Sequence, residues 1–174
     1  LQNHIDSLGG YFNAHIHLDR AGTYHGTVEL LKNTTISDGA SLPIFGKHSL
    51  IPLLHESSLY EPKNLHSRLL PYLNSMLSSG TTRADTVVDV TDDRVHLSAL
   101  KTLNNLKVQF EDHLNLQIGA YSPLGFRDDE PNRWSLLEEG AEQSDFIGLL
   151  PERDDRKRYP EHIGFKECCR RALL

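Results

Sequence analysis

Gly10-Tyr11-Phe12-Asn13-Ala14-His15-Ile16-His17-Leu18-Asp19 is the stretch on which the reading of this chain turns. A glycine pair, Gly9-Gly10, leads into it. Apolar residues then take alternate positions around the two histidines, which is the pattern of a β-strand running into a polar loop. Residues two apart on a strand point to the same face. His15 and His17 therefore present two imidazoles side by side near the strand's C-terminal end. Imidazole nitrogen suits zinc and iron. The spacing alone is weak evidence for a metal site, since two histidines at that spacing occur by chance; the plainer reading is a structural pair hydrogen-bonded in a loop.

Outward from this strand the chain alternates. Residues 20–60 are rich in Gly, Ser, Thr, Pro and His, with only a helical hint at 27–32. A long irregular connection inside a compact domain is often functional. Leu65, Leu69, Leu70, Leu73 and Leu77 recur at helical spacing and predict a helix over 62–79, stopped by Gly80. Thr86-Val87-Val88-Asp89-Val90 is dense in β-branched residues and predicts a second strand. Asp92 or Asp93 can cap a helix over 94–110 whose inner face is Leu97, Leu100, Leu103 and Leu106. Leu116-Gln117-Ile118-Gly119-Ala120-Tyr121 predicts a third strand, and 134–143 a helix. Phe146-Ile147-Gly148-Leu149-Leu150 predicts a short buried strand stopped by Pro151. A last helix starts near Pro160.

Strand–helix alternation of this kind implies right-handed crossovers and a parallel sheet. The expected class is α/β, with parallel (β/α) units forming roughly half of a TIM barrel, a fold usually of about 250 residues. The expected organisation is one partial barrel domain over 1–174, cut at both ends. Residue 1 is Leu, and 168–174 reads as the middle of a helix.

Composition narrows the function classes. Hydrophobic residues make up 38% of the 174 and charged residues 24%, a globular balance. With 18 basic and 24 acidic residues the net charge is -6, which gives no electrostatic reason to seek nucleic acid or an anionic membrane. The mixed run from Arg153 to Arg158 reads as a solvated loop. The two cysteines, Cys168 and Cys169, are adjacent, so they do not form a disulfide framework and read as packing. A reducing, cytoplasmic compartment is expected. No apolar run approaches the roughly 20 residues that span a bilayer.

Ala14-His15-Ile16-His17-Leu18-Asp19 resembles the first-strand signature of the amidohydrolase superfamily, in its cytosine-deaminase-like branch. The resemblance continues in order along the chain. Residues 80–92 resemble that branch's second-strand segment, 114–121 its third, and Gly148-Leu149-Leu150-Pro151 its fourth. The resemblance implies a metal-dependent amidohydrolase or deaminase that acts on non-peptide carbon–nitrogen bonds of a small nitrogenous compound. It implies a divalent metal, zinc or iron first, with His15 and His17 as two of its ligands. The family's remaining ligands, two later histidines and an aspartate, and its proton-shuttling glutamate are expected beyond Leu174. Cytosine deaminases carry a substrate-contacting glutamine just after the third strand, where this chain has Pro123. That departure argues against cytosine itself. The second strand also has Asp85 and Val87 where the family has basic and histidine residues.

Three acidic residues are further candidates. Asp89 sits near the end of a strand, where barrel sites are built. It can contact substrate or orient a ligating histidine, or it can be a helix cap or a loop ion pair. Glu152 just past the fourth strand has the same standing. Asp19 can hold the following loop or orient a ligand. For the other histidines a surface or hydrogen-bonded structural role is expected. A different class of function is a non-catalytic half-barrel. Its open edges and apolar face would drive association with a second copy or with the missing half.

Overall fold

The computed structural model of the protein describes residues 2–32 and 41–174. Four strands form one sheet: β1 (Tyr11–Ile16), β2 (Thr81–Asp89), β3 (Asn115–Tyr121) and β4 (Phe146–Gly148). They lie in the order β1-β2-β3-β4, and each neighbouring pair is parallel. The helices among the described residues are α1 (Gln2–Ser7), α2 (Tyr24–Leu31), α3 (Ile44–His48), α4 (Leu50–His55), α5 (Pro62–Ser78), α6 (Ser98–Phe110), α7 (Pro131–Glu142) and α8 (Phe165–Ala172). The class is α/β, built of consecutive parallel (β/α) units, with half the strand number of an eight-unit barrel.

Two faces of the sheet have different partners. Ala84 and Val88 of β2 and Leu116, Ile118 and Ala120 of β3 are buried with the inner faces of the helices. Helix α5 contributes Leu65, Leu69 and Leu73, spaced by four so that they share one face. Helix α6 adds Leu100, Leu103 and Leu106. Pro62 opens α5 at the position where a missing N–H costs nothing. Gly80, at φ +82°, closes it by returning its amide to the Leu77 carbonyl at 2.9 Å. Helix α7 comes close to β3 because it has Gly140 at the contact, where a Cβ would lie 3.2 Å from the Ala120 Cβ. On the opposite face Phe12 is 54% exposed and Phe146 37%. There the Arg83 guanidinium lies over the Phe12 ring and pairs with Asp85.

Several boundaries differ from the sequence expectation. Helix α6 begins at Ser98 rather than 94, because 91–97 first makes a loop closed by a Thr91–His96 bridge. Neither Asp92 nor Asp93 caps it. The Asp93 carboxylate instead accepts from the Val95 amide at 3.0 Å and the Thr91 hydroxyl at 2.7 Å. Strand β2 starts five residues early, at Thr81, and β4 ends at Gly148 rather than 150. Helix α7 starts at Pro131, and α8 starts only at Phe165, after Gly164 at φ +97°. One of the two acidic residues of the 153–158 run expected to be solvated, Asp154, is fully buried. The stretch 20–60 is not irregular where it is described. It holds α2, α3, α4 and a 3-10 turn at Ser58–Tyr60, while 33–40 lies outside the described residues. No helix among the described residues is long and apolar enough to cross a membrane.

Leu69 and Leu100 have no exposed surface. Truncating either to Ala should lower the unfolding free energy by about 2–5 kcal/mol in urea titration. Val108→Ala, at a position 64% exposed, should stay within about 0.5 kcal/mol. Equal effects at all three would show that the leucine face of α5 and α6 is not the core.

Candidate functional site at the sheet's C-terminal edge

A parallel sheet gathers its strand C-termini along one edge. Register aligns Asp89 with Tyr121 and Tyr121 with Gly148. On the other side β1 pairs Ile16 with Thr86, after a register irregularity between Asn13 and Ile16. The structure brings the two candidate imidazoles together there, with ring centroids 5.3 Å apart and planes at 88°. His15 is on β1. His17 is just past it and opens a 3-10 turn over Leu18–Arg20. Thr86 fixes the exit, since its hydroxyl accepts from the Leu18 amide at 3.0 Å and lies 3.2 Å from the Ile16 carbonyl. The Tyr121 ring meets His17 edge-on at 5.3 Å.

His17 has the properties of a ligand. Burial, then the Arg20 charge, push its pKa down to about 4, so the ring is neutral at physiological pH. Its Nδ1 is buried without a hydrogen-bond partner. A metal needs a deprotonated nitrogen, and a neutral imidazole carries one. The His15–His17 pair therefore fits a divalent ion as two of its ligands. Among the described residues no group of three or more His, Cys, Asp or Glu is placed to hold a metal.

Behind the histidines lies a buried polar network centred on Asp89. Its carboxylate accepts Arg20 Nη2 at 2.6 and 2.8 Å and Arg20 Nε at 3.1 Å. It also takes His55 Nε2 at 3.1 Å and the Tyr60 hydroxyl at 3.2 Å. His55 Nδ1 reaches Asp93 at 2.6 Å. Asp19 Oδ2 accepts from the Asp89 amide at 3.0 Å and from the same Tyr60 hydroxyl at 3.1 Å. Asp19 and Asp89 are both fully buried, so they cannot both ionise freely. Burial opposes ionisation of Asp89, but Arg20 and His55 outweigh it and hold its pKa below the usual carboxylate value. Burial and the Asp89 charge push Asp19 up to about 7.

The candidates thus fall into two groups. His15, His17, Asp19 and Asp89 share one corner of the sheet edge. Glu152 is exposed on the 3-10 turn Pro151–Asp154, close enough to the Tyr121 phenol to help raise its pKa, which burial chiefly pushes up to about 12. Cys168 is buried, its thiol pushed well above the ordinary range by burial and Asp154, in keeping with a packing role. Arg20, His55, Tyr60 and Tyr121 were not singled out from the sequence. Arg20 and Tyr121 had a signal, since both sit at the C-terminal ends of strand segments. His55 and Tyr60 had none, because they lie in the connection that showed no clear periodicity.

No family model matches the chain, and no curated protein matches it. Its fold is similar to 5-methylcytosine deaminase from Klebsiella pneumoniae in two crystal structures. The structure liganded with phosphonocytosine matches with a TM-score of 0.66 at 23% identity, over 94% of this chain and 37% of that one. The structure liganded with 5-fluorocytosine matches with a TM-score of 0.64 at 25% identity, over 86% and 33%. The chain spans about a third of the length of these neighbours.

Burial lowers the His55 pKa, but hydrogen bonds and charge from Asp89 and Asp93 outweigh it and raise it to about 9. The sign follows from linkage. The stabilisation His55 contributes is complete below its ordinary value of 6.5 and is lost as pH rises through about 9. Imidazole NMR should show His55 titrating near the upper value, and the stability difference between wild type and His55→Gln should shrink over that interval. A midpoint at or below 6.5 would show that the two carboxylates do not hold the ring.

Proposed function

We propose that this chain forms the first wall of a metal-dependent hydrolase of the amidohydrolase superfamily, acting on non-peptide carbon–nitrogen bonds as a deaminase or amidohydrolase. The observation that carries the reading is the neutral, partnerless His17 Nδ1 beside His15, at the C-terminal edge of a deaminase-like parallel sheet. The likeness to a deaminase supports the reaction class. The departure at Pro123, which has no side-chain amide, supports a small nitrogenous substrate other than cytosine.

His15 and His17 would hold a divalent ion, zinc or iron, through imidazole nitrogen. When bound, such an ion supplies hydroxide near neutral pH and polarises the carbon under attack. The chain's own residues do the rest of what this part of the site requires. Tyr121 packs its ring against the half-buried His17, while His15 is exposed. Asp89 is ion-paired with Arg20, which fixes the carboxylate and the turn that carries His17 behind the pair. The remaining ligands and the proton shuttle would come from the complementary half of a barrel, packed on the sheet face that carries Phe12 and Phe146. A small-molecule substrate and a cytoplasmic setting complete the reading.

The test is ammonia release by the intact, zinc-loaded protein from a panel of aminopyrimidines, cyclic amidines and cyclic amides. His17→Ala should lower kcat/KM at least about a thousandfold through loss of a metal ligand. Chelation should abolish turnover, and added zinc should restore it. Turnover that survives His17→Ala and chelation would sink the reading.

A further inference from the structure

We propose that His55 and Tyr60, from the connection between β1 and α5, are positioning residues for the His15–His17 pair; this rests on the metal reading above. From the sequence the connection reads as a long loop of the kind that is often functional. Its geometry is that of a support. Two of its side chains reach into the fully buried cluster behind the histidines and supply hydrogen bonds that the strands do not. The Tyr60 hydroxyl lies between two carboxylates, 3.1 Å from Asp19 Oδ2 and 3.2 Å from Asp89 Oδ2. His55 spans Asp89 at 3.1 Å and Asp93 at 2.6 Å.

The cluster is joined to His17 by short covalent and hydrogen-bonded steps. The Arg20 amide donates to the His17 carbonyl at 3.1 Å, closing the turn that the ligand opens. The side chain of the same Arg20 is clamped on Asp89. Asp19, two residues from His17, accepts from the Asp89 amide. Arg68 of α5 binds the turn and the connection with one guanidinium. Its Nη2 donates to the carbonyls of Asp19 and Leu59, each at 3.0 Å, and its Nη1 donates to the Ala21 carbonyl. His17 is thus set by Thr86 on one side and by the Asp19–Asp89–Tyr60–His55 cluster on the other. Loss of the Tyr60 hydroxyl leaves two buried carboxyl groups facing each other with one donor fewer. Asp19 lies in the Leu18–Arg20 turn that His17 opens, so the expected result is displacement of His17 from its partner ring.

A purely structural role predicts loss of stability only, whereas a positioning role predicts a change at the metal in protein that is still folded. The experiment measures zinc affinity of the intact protein by chelator competition and the visible absorption of its cobalt form, with circular dichroism as the fold check. The variants are Tyr60→Phe, His55→Leu and His55→Gln. Tyr60→Phe and His55→Leu should weaken zinc binding by about tenfold or more and alter the cobalt bands. His55→Gln keeps a side-chain N–H toward Asp89 and should restore most of the affinity. Tyr60→Phe removes one oxygen atom and keeps the ring in its pocket, so it decides the matter if His55→Leu unfolds. Unchanged affinity and spectrum in folded Tyr60→Phe would overturn the inference while leaving the metal reading intact. A wild-type protein that takes no zinc, or one whose affinity is unmoved by His15→Ala and His17→Ala, would overturn the metal reading and the inference with it.

Discussion

The buried carboxylate of Asp89 is the constraint on which this end of the molecule depends. A carboxylate that is wholly withdrawn from water must be paired and hydrogen-bonded. Here the pairing comes from three separate pieces of chain: Arg20 from the turn after β1, His55 from α4, and Tyr60 from the next turn. Such a pair adds little net stability against a well-packed apolar alternative, but removing one partner typically costs about 3–5 kcal/mol. The consequence is specificity of arrangement. The β1–α5 connection has to fold back onto the sheet edge, and the turn bearing His17 has to sit against β2.

That arrangement explains why two carboxyl groups so close together carry different protonation states. Arg20 and His55 take Asp89 as their anion, and Asp19 beside it is pushed up toward neutrality. One partner holds the cation, while the other holds a backbone amide and a phenol. Charge behind the histidines is therefore held close to balanced, and the lowered pKa of His17 keeps its ring neutral, with Nδ1 unpartnered.

A second polar cluster organises the far side of the same edge by similar means. Asp154, fully buried, accepts from the Phe126 amide at 2.8 Å and sits 3.2 Å from His162 Nδ1. It fastens the loop after β3 to the turn after β4, just as Asp89 fastens the turn after β1 to β2. Both clusters lie where a barrel has its loops, and in both a single aspartate replaces the regular ladder of hydrogen bonds once the strands have ended.

The amino-acid sequence by itself determined the class of fold and the placing of two histidines two apart at the end of β1. Leucines at helical spacing in α5 and α6, and β-branched and apolar runs in β2 and β3, specify their elements locally, because periodicity is a property of neighbours along the chain. The spacing of His15 and His17 is local in the same sense. Helix starts were less legible. The 94–97 segment has helical spacing, yet it is drawn into a loop when Asp93 turns to His55 instead of capping. The roles of Arg20, His55, Tyr60 and Asp154 were decided by tertiary structure alone. Arg20, His55 and Tyr60 each act on a carboxylate between 29 and 69 positions away, and Asp154 on a backbone amide 28 positions away, and no pattern along the chain encodes which buried charge a distant side chain will be needed to satisfy.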